Sequence, residues 1–212
     1  MAGVSRFTDR REAGERLAAE VRDREITADL VLAIPRGGLP LGRAVADELR
    51  VPLDVVVAKK IGAPGNPEYA VGAVASDGSV WRNEEAFRGG RVDEEYFQRK
   101  REEEAASARR KVQRYRDGES APEVMGKRVI VVDDGVATGS TVRACLQQLR
   151  DAGAERIVLA VPVGPPETIA ELERIADEVI CLQTPGNFTG VGGFYRNFDQ
   201  VSDEEAMAYL NR

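Results

Sequence analysis

The apolar positions of this chain fall into two alternating rhythms. Short, predominantly apolar runs occur at 30–34 (LVLAI), 53–58 (LDVVVA), 128–132 (RVIVV), 156–161 (RIVLAV) and 179–182 (VICL). Runs of this length, rich in Val and Ile and without polar alternation, fit strands covered on both faces, as in a parallel sheet. Between them the spacing becomes that of amphipathic helices. Ala13, Leu17, Ala18 and Val21 share a face behind Asp9, which forms a capping pattern with Glu12. Val142, Cys145, Leu146 and Leu149 follow i, i+3, i+4, i+7, and Ile169, Leu172, Ile175 and Val179 read as the core-facing residues of a helix opened by Pro165 or Pro166, a residue suited to a first helical turn.

Three further helices are predicted at 39–49, 92–116 and 201–210. The second is long and polar, with acids at its start and Arg109, Arg110, Lys111, Arg114 and Arg116 at its end, an order that complements the helix dipole. Its basic end reads as a solvated face. Residues 71–82 read as a hairpin turning at Asp77-Gly78. The alternation predicts one α/β domain over 1–212: a parallel sheet of about five core strands flanked by helices, joined by right-handed crossovers.

Chemistry concentrates where strands end. The run 128–132 meets two adjacent acids, Asp133 and Asp134, then Gly135, Val136, Ala137, Thr138, Gly139, Ser140 and Thr141, before the helix containing Cys145. Carboxylates at the end of a buried strand need partners, for which ligand hydroxyls or a magnesium shell are suited. Free N–H groups at a helix start, its dipole and several hydroxyls make a cradle for one phosphate. The run 30–34 breaks into Pro35-Arg36-Gly37-Gly38, where two glycines let the backbone approach an anion and Arg36 offers a planar fork. The run 53–58 leads into Lys59 and Lys60; strand side chains alternate faces, so one of the two reaches the ligand. Residues 63–69 are rich in turn formers, as a mobile lid would be.

The string RVIVVDDGVATGST at 128–141 resembles the 5-phosphoribosyl-1-pyrophosphate (PRPP) loop of type I phosphoribosyltransferases, and AIPRGGLPLGRAVADEL at 33–49 resembles the pyrophosphate loop of the same family. The resemblance implies that residues 137–141 hold the ribose 5-phosphate, with Gly135 and Val136 part of the same PRPP-binding loop. Asp133 and Asp134 would hold the ribose hydroxyls and, directly or through them and water, Mg2+. It implies a pyrophosphate site of Arg36, Gly37 and Gly38 with Lys59 or Lys60, and a cis peptide between Arg36 and Gly37. It also implies a flexible loop and hairpin over about 61–90 and a small C-terminal hood over about 184–212. In that hood Phe194 and Tyr195 are the candidates for stacking an acceptor; Glu68 and Tyr69 are offered as a proton acceptor and a stacking group. Purine-specific relatives carry an aspartate three residues after the second acid, where this chain has Ala137.

Composition narrows the alternatives. The 212 residues carry a formal charge of -6, which argues against a nucleic-acid surface, and contain no histidine, which removes histidine triads and histidine-bound zinc. The two cysteines, Cys145 and Cys181, fall within predicted buried elements at no metal-like spacing and read as core thiols. Neither a leader-like apolar segment nor a bilayer-length run occurs, so the expectation is a cytoplasmic enzyme of nucleotide metabolism. The expected activity is Mg2+-dependent transfer of the phosphoribosyl group of PRPP to a nucleobase or related nitrogen acceptor, a glycosyl transfer in which Asp133, Asp134, Arg36 and Lys60 take part. Members of the family often form dimers, so a homodimer is one open expectation, and no apolar stripe in the sequence marks an interface. The alternatives are a PRPP-binding regulator without transfer activity and a sugar-phosphate hydrolase.

Overall fold

In a computed structural model that describes residues 6–90 and 92–211, the buried runs pair side by side. Positions 1–5, 91 and 212 of the expected domain lie outside the described residues. In chain order the elements begin with α1 (Arg10–Asp23), β1 (Leu30–Ala33), α2 (Gly38–Leu49) and β2 (Leu53–Val55). A second group follows: β3 (Ala58–Ala63), β4 (Asn66–Ala75), β5 (Val80–Arg82), α3 (Glu84–Arg88) and α4 (Glu94–Arg116). The chain then runs through β6 (Arg128–Val132), α5 (Ser140–Asp151), β7 (Arg156–Val163), α6 (Pro166–Leu172) and β8 (Glu178–Gln183) to a 3-10 turn at Val191–Phe194 and α7 (Asp203–Leu210).

Five strands form a parallel sheet in the order β2-β1-β6-β7-β8. Alternate residues point to opposite faces, and both faces are covered, which is why the interiors of the central strands lack polar positions. Leu30, Leu32, Val129, Val131, Ile157 and Leu159 pack toward Leu146 and Leu149 of α5, while Val31, Ile130, Val132 and Val158 pack toward Leu17 of α1 and Val45 of α2. Each of the large fully buried side chains, such as Ile130 and Leu159, contributes about 1.5–3 kcal/mol. Ala108, Val112 and Tyr115 of α4 and Ala206 of α7 cover Val55 and Val57 beyond β2.

The run 53–58 is not one strand. Its first three residues end the parallel sheet as β2, and Val56 and Val57 carry the chain into β3 of a separate antiparallel sheet, β3-β4-β5. Both valines stay buried during the passage, so hydrophobicity alone gave no sign of the change. Lys59 and Lys60 therefore lie within a strand, paired with Val74 and Ala73, and not at the end of a core strand. The segment expected as a lid is mostly the β3–β4 hairpin, and the turn at Asp77-Gly78 joins β4 to β5 with Asp77 Oδ1 accepting from the Ser79 amide at 2.9 Å. Val179 belongs to β8, so the stripe expected behind Pro165 ends at Leu172.

The sheet order reverses between β1 and β6: the chain moves outward to β2 from one and to β7 and β8 from the other. Such a reversal opens a crevice at the strand carboxyl ends. The loops at 34–37 and 133–139 both leave the sheet there.

Candidate active site

The loop after β6 is built to leave its backbone donors uncommitted. Gly139 caps α5 with φ 72°, a left-handed conformation that glycine adopts without strain, and it turns the chain so that α5 starts at Ser140. Thr168 of α6 donates through Oγ1 to the Ala137 carbonyl at 2.9 Å, holding the loop from behind. Among the described residues, none of the amides from Ala137 to Thr141 has a hydrogen-bond partner within the protein. The Thr138 and Ser140 hydroxyls lie 3.3 Å apart. A cavity of about 310 Å³ is lined by residues 135–142 together with Asp133, Lys60 and Val191. The sequence-predicted phosphate loop, the first acid and one of the two lysines are thus brought together, and Val191, which no sequence feature marked, closes one side.

The second loop lies against the first. Ile34 donates its amide to the Val132 carbonyl at 2.8 Å, and a Cβ at Gly38 would come within 2.6 Å of that same oxygen. A Cβ at Gly37 would fall inside the Asp134 carboxylate. Glycine at 38 is therefore required by the close approach of two backbones, and glycine at 37 makes room for the Asp134 side chain. The cis peptide is at Pro35–Arg36, one bond earlier than the resemblance implied. Gly37 is already in the helical region at φ -61°, ψ -32°, so the Arg36–Gly37 bond belongs to the entry into α2. The Arg36 and Gly37 amides have no partner among the described residues.

The two acids differ. Asp133 accepts the Asp134 amide at 2.8 Å and faces the cavity; low-dielectric surroundings first, and the neighbouring Asp134 carboxylate second, push its carboxyl well above the usual range. Asp134 is also pushed up by burial, but the Arg10 guanidinium opposes this, with Nε 2.8 Å from Oδ2. Arg10 also donates to the Asp199 carbonyl and lies 3.8 Å from the Phe198 ring centre. This residue was missed in the sequence, where nothing links the first turn of α1 to a position 124 residues later. No group of three or more His, Cys, Asp or Glu able to hold a metal ion occurs among the described residues.

The remaining candidates separate. Lys60 lines the phosphate-loop cavity and pairs with the exposed Glu68 at 3.0 Å, whereas Lys59 lines a different pocket with Arg36. The Arg36 side chain turns to Asp203 of α7 at 3.6 Å and not to the cavity containing Lys60. Tyr69 lines a third cavity with Trp81, Thr138 and Arg143. Phe194 and Tyr195 require a correction: both are buried, at 7% and 4% exposure, with Phe194 stacked on Phe188 and Tyr195 between Phe7 and Phe198. Neither ring offers a free face for stacking. Tyr195 instead donates its hydroxyl to the Asp134 carbonyl at 2.6 Å and braces the acidic turn. The basic end of α4 is also not simply solvated, because Lys111 donates to the Pro35 carbonyl at 3.1 Å and Arg116 pairs with Asp54 at 2.9 Å.

Comparison with known proteins agrees with this geometry. The model of the phosphoribosyl transferase domain matches residues 4–199. A Mycobacterium tuberculosis protein assigned by name to the phosphoribosyl transferases is 41% identical over 206 residues, covering 97% of this chain and 46% of that protein. An amidophosphoribosyltransferase of Synechococcus elongatus is 26% identical over 166 residues, which is 78% of this chain and 26% of that protein. The crystal structure of TT1426 from Thermus thermophilus superimposes with a TM-score of 0.82 at 40% identity, covering 97% of both chains. This chain spans about half the length of the Mycobacterium relative it matches. With the domain model matching almost throughout, and with acidic turn, phosphate cradle and glycine loop converging at the sheet reversal, the chain belongs to the phosphoribosyl transferase family.

Proposed function

We propose that this chain transfers the phosphoribosyl group of PRPP to a ring nitrogen of a nucleobase or related acceptor, with release of pyrophosphate. The observation that carries the reading is the row of uncommitted amides from Ala137 to Thr141, sharing one cavity with Asp133 and Lys60. Five consecutive amides at a helix start suit a single phosphate, here the 5-phosphate of the ribose. Asp133, with oxygens left over after accepting one amide, suits the ribose hydroxyls. The Arg36 and Gly37 amides and the Lys60 ammonium suit the pyrophosphate.

In the reaction the C1–O bond to pyrophosphate breaks, its electron pair leaves with the pyrophosphate, and the acceptor nitrogen donates a pair to form the C1–N bond. Ribose gains positive character as the leaving group gains negative charge. The fixed carboxylates favour the former, while amides and Lys60 favour the latter, without reorganising as the charges develop. Ala137 carries no proton acceptor, so the acceptor's proton leaves through another group. Magnesium fits this donor set as an ion carried by the substrate, since Asp133 and Asp134 supply carboxylate oxygens but no complete protein site exists among the described residues. When bound, it would neutralise pyrophosphate charge. The proposal includes a cytoplasmic role in nucleotide metabolism.

The test is pyrophosphate release from PRPP and Mg2+ across a panel of bases, beside calorimetry with PRPP. Release that depends on one acceptor, and that is lost in the variant with both Asp133→Asn and Asp134→Asn, supports transfer. Binding without turnover on any acceptor would overturn it, as would acceptor-independent release, which marks a hydrolase.

A further inference from the structure

Arg143 stands in the first turn of α5, directly behind the phosphate loop, and is only 9% exposed. It lies off the core-facing stripe of that helix. Its burial comes from the antiparallel sheet, because Cζ lies 5.3 Å from the ring centre of Trp81 in β5. A buried guanidinium is costly unless its donors are met. Here they are met only in part. Nη2 donates to the half-exposed Glu171 of α6, while Nε has no hydrogen-bond partner among the described residues. An apolar side chain would fill this place at less cost to folding, so the charge calls for another explanation.

Its contacts supply one. Gly139, whose left-handed backbone directs the chain into α5, is walled on its open side: an added Cβ would meet Thr168 Cγ2 at 3.0 Å, Arg143 Nε at 3.5 Å and Leu172 Cδ1 at 3.6 Å. The Arg143 amide donates to the Gly139 carbonyl at 2.8 Å and closes the first helical turn. Helix α6 therefore grips the loop twice, directly through Thr168 on the Ala137 carbonyl and indirectly through Glu171 and Arg143. Thr138 lines both the phosphate-loop cavity and the neighbouring cavity of about 470 Å³ that holds Arg143 and Trp81. Arg143 itself does not line the phosphate-loop cavity.

We infer that Arg143 is a positioning residue of the phosphate cradle: set between Glu171 and Trp81, its side chain backs Gly139 and keeps the amides of residues 138–141 aimed at one phosphate without touching it. The inference rests on the assignment of a sugar phosphate to this loop and adds the residue that fixes the loop's direction. A row of amides stabilises an anion best when its directions are set before the anion arrives. A positive charge behind the helix start adds to a potential that already favours an anion there. Lysine would keep that charge but lose the planar group that lies toward Trp81 and forks to Glu171, and methionine would keep only the bulk.

The full chain is titrated with ribose 5-phosphate and, separately, with magnesium pyrophosphate, by calorimetry and by the emission of Trp81, the single tryptophan of the sequence. The parent should bind both ligands. Ribose 5-phosphate should change the Trp81 emission, because the guanidinium that backs the cradle also lies against that ring. Arg143→Met should bind ribose 5-phosphate roughly tenfold more weakly, within the range for residues that act through a neighbour, and lose the emission change at saturating ligand. Its pyrophosphate affinity should be unchanged, whereas general damage to the fold would weaken both ligands together. Arg143→Lys should recover part of the lost affinity. Thr168→Val, which removes the other grip of α6, should weaken ribose 5-phosphate several-fold and keep the emission change. With a parent that binds ribose 5-phosphate, any of four results would overturn this inference alone: Arg143→Met equal to the parent, Trp81 emission unmoved at saturation, both ligands weakened equally, or lysine no better than methionine. A parent that ignores ribose 5-phosphate would overturn it together with the assignment of the loop.

Discussion

Arg10 Nε lies 2.8 Å from Asp134 Oδ2, tying the first residue of α1 to the second acid of the phosphate-loop turn. Their side chains are only 13% and 15% exposed, and the guanidinium lies over the Phe198 ring while donating to the Asp199 carbonyl. The pair thereby joins the N-terminal helix, the acidic turn and the C-terminal segment. Removing one member leaves the other charged in a poorly solvated place.

Arg10→Ala is therefore expected to cost about 3 kcal/mol in urea unfolding, the scale for breaking a buried pair. PRPP binding should weaken as well, because Asp134 loses its orienting partner. Arg10→Lys keeps the charge but not the fork and should recover part of the stability. An unfolding midpoint for Arg10→Ala equal to that of the parent would show that the pair is not structural.

Asp133 should behave in the opposite way. Its carboxyl is raised, so the folded chain holds a proton at a pH where the unfolded chain has lost it. Stability associated with this group is present below the ordinary carboxylate range and declines as pH rises through the raised value. At neutral pH this carboxyl therefore works against folding of the ligand-free protein, and Asp133→Asn should relieve it. A rise in melting temperature of about 2–4 °C at pH 8, corresponding to ~1 kcal/mol in a chain of this size, is expected, and the difference should vanish near pH 4. The same variant should lose at least tenfold in PRPP affinity, the scale of one charged hydrogen bond. Equal melting temperatures at both pH values would refute the assigned shift.

Gly37→Ala places a methyl group where the Asp134 carboxylate now sits. Asp134 must then rotate away from Arg10 or the glycine loop must withdraw from β6. Overpacking of this kind costs about 1–3 kcal/mol. The readout is a lower unfolding midpoint accompanied by weaker PRPP binding. Gly65→Ala, where the added carbon meets nothing but φ is 72°, should lower stability through backbone strain alone and leave binding unchanged, and serves as the comparison.

Both thiols should resist modification in the folded protein. Burial pushes the Cys181 thiol up to about 11 and pushes Cys145, on the core-facing side of α5, further in the same direction. At pH 8 the reactive thiolate is therefore scarce at both. A disulfide-exchange reagent should react slowly with the native chain and with two thiols at once after denaturation. Fast labelling of Cys145 in the folded state would contradict its burial.

Much of this architecture was readable from spacing. The apolar runs gave the five parallel strands because residues covered on both faces cannot alternate with polar ones, and the turn chemistry of 133–141 and 35–38 marked the two loops. The run 53–58 was misread as one strand because Val56 and Val57 remain buried while passing between sheets. Phe194 and Tyr195 are candidates for stacking an acceptor by sequence, because a glycine-rich aromatic stretch does not reveal whether the rings turn outward. They turn inward, against Phe188 and between Phe7 and Phe198.

What the amino-acid order determined by itself was local: which stretches could be buried, where the backbone had to bend, and which turn could offer a row of free amides to a phosphate. What only the tertiary structure decided was which distant charges met. Arg10 reaches Asp134, Lys60 joins the phosphate loop while Lys59 turns to Arg36, and Asp203 closes over Arg114. Periodicity records the burial of a side chain relative to its neighbours in the chain. Ion pairing depends on three-dimensional distance, which the packing of the helices on the sheet sets and which no local pattern encodes.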